Sequence, residues 1–214
     1  MLNSDYARMR ILGAAYDLFG KFGYVATTVR MIAHHAHVSL SAIPYYYESK
    51  DNLFQQVVQT ATQEFVQYFK AIIQEIDAFL ARPERSAIEA KTLLLRLADK
   101  HLDYVFDPRN VRQLRLFFQL RTSFGMAGTT KMSFNMTTTH LFISLLKEMR
   151  PDLADDEATI LAFSIIGEQL FFFYHRPSVL NQLGLTEFSA ESISRIRKVL
   201  IQRLERDLSS NISS

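Results

Sequence analysis

Apolar positions recur at helical spacing along nearly the whole chain. Ile11, Ala14, Ala15, Leu18 and Phe19 follow the i, i+3, i+4, i+7, i+8 pattern of a helix with one buried face, and Gly20 and Gly23 are expected to end it. Thr27 or Thr28 is placed to cap a short second helix with Val29, Ile32 and Ala33 inward, followed by a turn at Ala36, His37 and Val38. Ser39 is expected to cap a third, with Leu40 or Ala42 and Ile43 inward and Ser41, Pro44 and Tyr45 outward. Prolines 83, 108, 151 and 177 fall in the breaks RPER, DPRN, RPDL and RPSV between long periodic segments. The pattern predicts helices near 5–20, 28–35, 39–45, 50–80, 86–105, 109–123, 127–149, 154–175 and 189–208, with no hairpin signal or internal repeat. The expected fold is all-α with about nine helices: a small head over residues 1–50 and a larger helical body over 51–214.

Composition narrows the function classes. A chain of 214 residues, 48% hydrophobic and 21% charged, can bury a substantial core. The absence of cysteine excludes a disulfide, a thiol nucleophile and a zinc–thiolate site. The amino terminus carries no cleavable leader pattern, since Asp17 interrupts its apolar stretch. The most apolar run, LAFSIIGEQLFFFY, contains Glu168 and Gln169 and is too short to cross a bilayer core of about 30 Å. A cytoplasmic protein without a membrane partner is therefore expected. The net charge of +2 is matched by residues 1–50 alone, where five Lys/Arg face three Asp/Glu, a first pointer to a polyanion partner.

Two helices of about seven residues joined by a three-residue turn cannot form a core alone, but packed on the first helix they make a helix-turn-helix. In such a unit the second helix enters the DNA major groove. Short side chains let the backbone approach the bases, and hydroxyls from Ser, Thr and Tyr donate to phosphates. Ser49 is placed to cap the next helix, where Lys50 beside free backbone N–H groups forms a phosphate clamp. Tyr45 and Tyr46 are expected to touch DNA and Tyr47 to lock the recognition helix to the core.

The run ILGAAYDLFGKFGYVATTVRMIAHHAHVSLSAIPYYYESKDNLF resembles the DNA-binding domain of tetracycline-repressor-type (TetR) transcriptional regulators over positions 8 to 54. The resemblance implies a homodimer with a three-helix head that binds a palindromic double-stranded DNA operator, and a helical body that binds a small effector. It implies backbone contacts from Thr28, Ser39, Ser41, Tyr45, Tyr46 and Lys50, with Leu40, Ala42 and Pro44 facing the groove. Two departures stand out. His37 occupies a turn position usually held by glycine, and Pro44 replaces an often polar or aromatic residue, which moves readout toward thymine methyls and DNA shape.

The tail LLKEMRPDLADDEATILAFSIIGEQLFFFYHRPSVLNQLGLTEFS is similar to the CecR-like subgroup, with a phenylalanine-rich helix followed by Arg-Pro and Val-Leu. It implies that helices near 154–175 and 189–208 pair with their symmetry mates in a four-helix dimer interface. Ile160, Phe163, Ser164, Gly167, Leu170, Phe171 and Tyr174 form one wide face; Phe172 and Phe173 point elsewhere, so this helix needs burial on two sides.

Between 109 and 149, Phe117, Phe118, Phe124 and His140, with Arg121 nearby, stand among few charges and are candidates to line an apolar effector pocket. The same spacing also describes an ordinary core. The segment FGMAGTTKMSFNM is either a pocket loop or a helix break. His34 and His37 share a face without a metal-binding arrangement, and surface or phosphate-side roles suit them better. Glu168 is expected to make a buried hydrogen bond across the dimer or to the effector. No nucleophile, phosphate loop or carboxylate pair at useful spacing supports an enzyme, and no cofactor is implied. The expected function is a ligand-responsive transcriptional regulator acting as a repressor released by a small apolar or aromatic effector; the alternatives are an all-α enzyme or a helical adaptor.

Overall fold

The computed structural model describes residues 3–122 and 133–210. Ten α-helices and one 3-10 turn are present among them, and no strand. They are α1 (Asn3–Ala26), α2 (Val29–Ala36), α3 (Ala42–Tyr47), α4 (Lys50–Leu80), α5 (Ala87–Phe106), α6 (Val111–Thr122), α7 (Ser133–Met149), α8 (Asp155–Tyr174), α9 (Arg176–Gln182) and α10 (Ala190–Ser210). The all-α expectation holds. The tenth helix is α9: the Arg-Pro break is also a helix start, because proline in a first turn gives up an N–H that would have had no partner. Within the expected 127–149 helix, residues 127–132 lie outside the described residues.

Packing divides the chain into two units, residues 1–67 with 108–133 and residues 68–107 with 134–214. The units are not the 1–50 and 51–214 division read from the sequence: the first also takes in the start of α4 and all of α6. Its core is built from positions that the periodicity marks, Ile11, Ala15 and Phe19 of α1, Ile32 of α2 and Ile43 of α3, together with Leu53 and Val57 of α4, all at most 1% exposed. The end of α1 departs from expectation. Gly20 stays helical, and its missing Cβ would stand 3.2 Å from the Arg112 carbonyl oxygen of α6, so its role is close approach rather than termination. Gly23 is the break, with φ 78 and ψ 172, a conformation that side chains resist, after which the helix resumes to Ala26. The buried Thr27 hydroxyl donates to the Gly23 carbonyl at 2.7 Å at this kink.

In the second unit, α5 is the central helix, packed by α8 and by α10. Leu102 of α5 with Ile196 and Leu200 of α10 form one apolar cluster, against which Phe106, Phe172 and Phe188 pack. Arg197 of α10 donates to Asp99 at 2.6 Å and also to Asp103, which fixes the register of α10 along α5. Two buried polar side chains cross from α5 to α8: His101 Nδ1 lies 2.6 Å from Gln169 Oε1, and Gln169 Nε2 donates to the Ala98 carbonyl at 3.1 Å.

Candidate nucleic-acid interface

The α2–α3 segment is held by local chemistry that the residue types dictate. Thr28 caps α2, its hydroxyl accepting the Met31 N–H at 3.2 Å. The helix ends at His37, which takes the left-handed conformation (φ 52, ψ 50), and the Val38 N–H returns to the Ala33 carbonyl at 3.0 Å. Histidine therefore does what a glycine would do more cheaply. Arg10 of α1 donates to the carbonyls of Ala36 and, at 2.6 Å, of His37, which ties the turn to the first helix.

The third helix starts three residues later than the expected 39–45, at Ala42. Ser41 occupies the cap position without a side-chain cap bond, while the Ser39 carbonyl accepts the Ala42 N–H at 3.1 Å and the two serine hydroxyls lie 3.1 Å apart. Ile43 and Tyr47 face inward, and the Tyr47 hydroxyl donates to the Arg8 carbonyl at 2.8 Å, the expected lock on the core. The opposite side presents Ser39, Leu40, Ser41, Pro44 and Tyr45, all exposed, with Tyr45 at 79%. Tyr46 and Ala42 are half-buried, and the Tyr45 and Tyr46 rings meet edge to face at 4.8 Å. The structure thus brings Ser39, Leu40, Ser41, Ala42, Pro44, Tyr45 and Tyr46 to one short segment, with Thr28 exposed at the start of α2.

Glu48 joins α3 to α4 at φ 63 and ψ −49, with the Ser49 N–H bonded to the Tyr47 carbonyl at 2.6 Å. This is a three-residue turn of the rare strained kind. Ser49 caps α4, accepting the Asn52 N–H at 3.1 Å. Lys50 Nζ lies 4.1 Å from the centre of the Tyr24 ring, and the Tyr24 hydroxyl donates to Asp51. That bond, with burial and the Asp51 charge behind it, pushes the Tyr24 hydroxyl up to about 12. His34 and His35 are exposed, with His35 4.0 Å from Asp17. No group of three metal-ligating side chains occurs among the described residues.

A family model described as "Bacterial regulatory proteins, tetR family" matches residues 11–57, the span of this head from the middle of α1 into α4. Residues 11–57 therefore match the tetR-family regulators. It is 23% identical over 201 residues to the HTH-type transcriptional dual regulator CecR of Shigella flexneri, a match covering 93% of this chain and 90% of the relative. Its fold is similar to that of the ketosteroid transcriptional regulator KstR2 of Mycobacterium tuberculosis, with a TM-score of 0.64 at 14% identity over 97% of this chain and 96% of that one. A gamma-butyrolactone receptor described as ArpA-like aligns with a TM-score of 0.56 at 21% identity, covering 97% of this chain and 100% of the other.

In the second unit the α8 face expected to meet a partner is on the outside. Ile160, Phe163, Ser164, Gly167 and Phe171 are all exposed, Ile160 at 61% and Phe163 at 59%, and Tyr174 is half-buried. The opposite face, Ala158, Ala162, Ile165, Ile166, Gln169 and Leu170, is buried within the chain. Leu170 is thus a core residue and not part of the outer face. A Cβ on Gly167 would meet nothing within 4 Å. Glu168 departs from expectation: its partner is Arg203 of α10 in the same chain, although burial still holds its carboxyl above the usual carboxylate range.

The effector candidates are spread. Phe117, 3% exposed, packs edge-on to Phe65 at 5.8 Å in the core of the first unit, while Phe118 beside it on α6 is 41% exposed. His140 is exposed on α7. The Arg121 side chain and Phe124 lie outside the described residues, as does most of FGMAGTTKMSFNM. Sequence reasoning singled out Gln169 but missed His101, Thr138 and Thr139, the other buried polar residues of the second unit among those described. A lone polar residue inside an apolar periodic stretch was the available signal.

Proposed function

We propose that this regulator is a homodimeric repressor that binds a palindromic operator in the cytoplasm and leaves it when a small apolar or aromatic effector binds the body. The observation that carries the reading is the surface of α3 and the turn before it: hydroxyls and tyrosines for phosphates flank Leu40, Ala42 and Pro44, which offer only apolar contact to base edges. The DNA contacts proposed are those of Thr28, Ser39, Leu40, Ser41, Ala42, Pro44, Tyr45, Tyr46 and Lys50. The exposed apolar side of α8 supports dimerisation, since such a surface on a regulator marks an interaction site. A ketosteroid regulator and a butyrolactone receptor among the structural neighbours support a compact, largely apolar effector, and the printed name of the CecR relative, a dual regulator, makes the sign of regulation the first thing to measure.

Salt-dependent anisotropy titrations with DNA from upstream of the gene and with a random duplex test the docking. Lys50→Ala is expected to weaken both complexes alike and to lower the salt slope by about one. Ala42→Leu is expected to cost about 1–3 kcal/mol on the cognate site and much less on random sequence. An unchanged salt slope for Lys50→Ala, together with no specific loss for Ala42→Leu, sinks the proposed docking of α3.

A further inference from the structure

We infer that Tyr24 is a positioning residue for DNA binding: its ring face holds the Lys50 ammonium in place at the start of α4, and its hydroxyl takes the neighbouring Asp51 carboxylate. This rests on the proposed reading, in which Lys50 meets the DNA backbone, and adds a residue that acts through that lysine. Lys50 Nζ lies 4.1 Å from the centre of the Tyr24 ring, well inside the range over which the negative face of an aromatic ring attracts a cation. Lysine is a point charge on a flexible stem, so an untethered ammonium loses rotamer freedom when it settles on one phosphate. A ring face restrains the stem without cancelling the charge, which a carboxylate would do. Both carboxylates beside Lys50 in sequence are engaged elsewhere: Asp51 accepts the Tyr24 hydroxyl, and Glu48 accepts the Asn52 side-chain amide at 2.9 Å. One tyrosine thus separates two adjacent opposite charges, the cation on its face and the anion at its hydroxyl.

The ring is itself fixed. It lies 4.9 Å from Phe54 of α4 and stacks on Phe19 of α1 at 6.0 Å, while those two rings, both at most 2% exposed, meet edge to face at 5.0 Å. Its backbone follows the break at Gly23, and the buried Thr27 hydroxyl lies 2.7 Å from the Gly23 carbonyl and 3.1 Å from that of Leu18. Phe22 and Val25, on either side of the pair, are exposed, whereas Tyr24 is half-buried, so the kink turns this side chain toward α4. The Ser49 cap on the Asn52 N–H holds the first turn of α4 from the other side. A restraint built on packed aromatic rings is in place before DNA arrives, and preorganisation of that kind reduces what ordering the lysine costs on binding.

A double-mutant cycle on the full-length protein tests this, with anisotropy titrations against a random duplex at low salt and DNA from upstream of the gene. Tyr24→Leu is expected to weaken both complexes about fivefold in the parent and by less than about twofold once Lys50→Ala is present, because the tyrosine acts through the lysine. Tyr24→Phe, which keeps the ring, is expected to recover most of that loss. The same loss with and without Lys50, as a packing role alone would give, overturns the positioning role but leaves the docking of Lys50 standing. Parental binding by Tyr24→Leu does the same. If Tyr24→Leu does not fold, the Lys50 ε-methylene protons of the parent, assigned by their absence from Lys50→Ala, decide: the ring is expected to shift them upfield, and an ordinary lysine position overturns the contact. A Lys50→Ala protein that binds both duplexes as the parent does removes the phosphate contact itself, and the role of Tyr24 falls with it.

Discussion

His37 shows how far residue chemistry alone carries the reading. The turn demands a left-handed backbone, which glycine adopts freely, and histidine accepts it at φ 52 because the carbonyls it displaces find the Arg10 guanidinium. Cap residues such as Thr28 and Ser49 were legible in the sequence, since a cap bonds within three residues of itself. Arg10 and the Tyr24–Asp51 pair were not, because their partners lie 26 or 27 residues away and only folding brings them together. Tyr24 makes a pH prediction. Its hydroxyl is raised from 10.0 to about 12 in the folded chain, so the fold retains a proton that the unfolded chain releases. The contribution is complete below pH 10 and is lost as pH climbs toward 12. The stability gap between the parent and Tyr24→Phe, read from urea midpoints, is expected to narrow across that window; a gap independent of pH there would show that the Asp51 bond does not shift the tyrosine.

At the scale of elements, α8 illustrates both the strength and the limit of periodicity. That the helix is apolar on nearly every side was visible in LAFSIIGEQLFFFY, and the structure sorts those sides into a buried face and an exposed one. The partner of Glu168 was not visible, because Arg203 stands 35 residues further on, on a helix whose register is set by Arg197 against Asp99 and Asp103. The missing α9 has a similar cause: proline punctuates helices, but the same ring fits a first turn, and only packing decides which. Gly167 offers a clean test of the outer face. Nothing in the chain crowds its Cβ position, and glycine inside a helix costs about 1 kcal/mol relative to alanine. Gly167→Leu is therefore expected to leave the monomer fold intact, with thermal stability unchanged or raised once dimerisation is excluded, and to dissociate the dimer in light scattering. A dimer of parental stability in that variant would move the interface away from α8.

The whole molecule contains two packing units whose boundaries no composition shift announces. α6 belongs with the head although residues 68–107, with the rest of α4 and all of α5, intervene in sequence, because its packing partner is α1. This changes which substitution probes the effector. Phe117 and Phe118 looked equivalent as neighbouring aromatics, yet Phe117 is 3% exposed against Phe65, and truncating such a residue costs about 3–5 kcal/mol through the cavity left behind. A Phe117→Ala protein would fail to respond to any ligand for reasons of folding alone. Phe118, 41% exposed on the same helix, is the informative position. If a small aromatic or apolar compound acts through α6, Phe118→Ala is expected to keep ligand-free operator affinity within about twofold while shifting the concentration of ligand that releases DNA by about tenfold, as the loss of one well-packed aromatic contact would do. A library of such compounds, first ranked by the thermal shift they give the parent, supplies the ligands, and anisotropy of labelled upstream DNA reads release. A Phe118→Ala protein that is released at the parent's ligand concentrations would place the effector away from α6 and leave the role of that helix to the head alone.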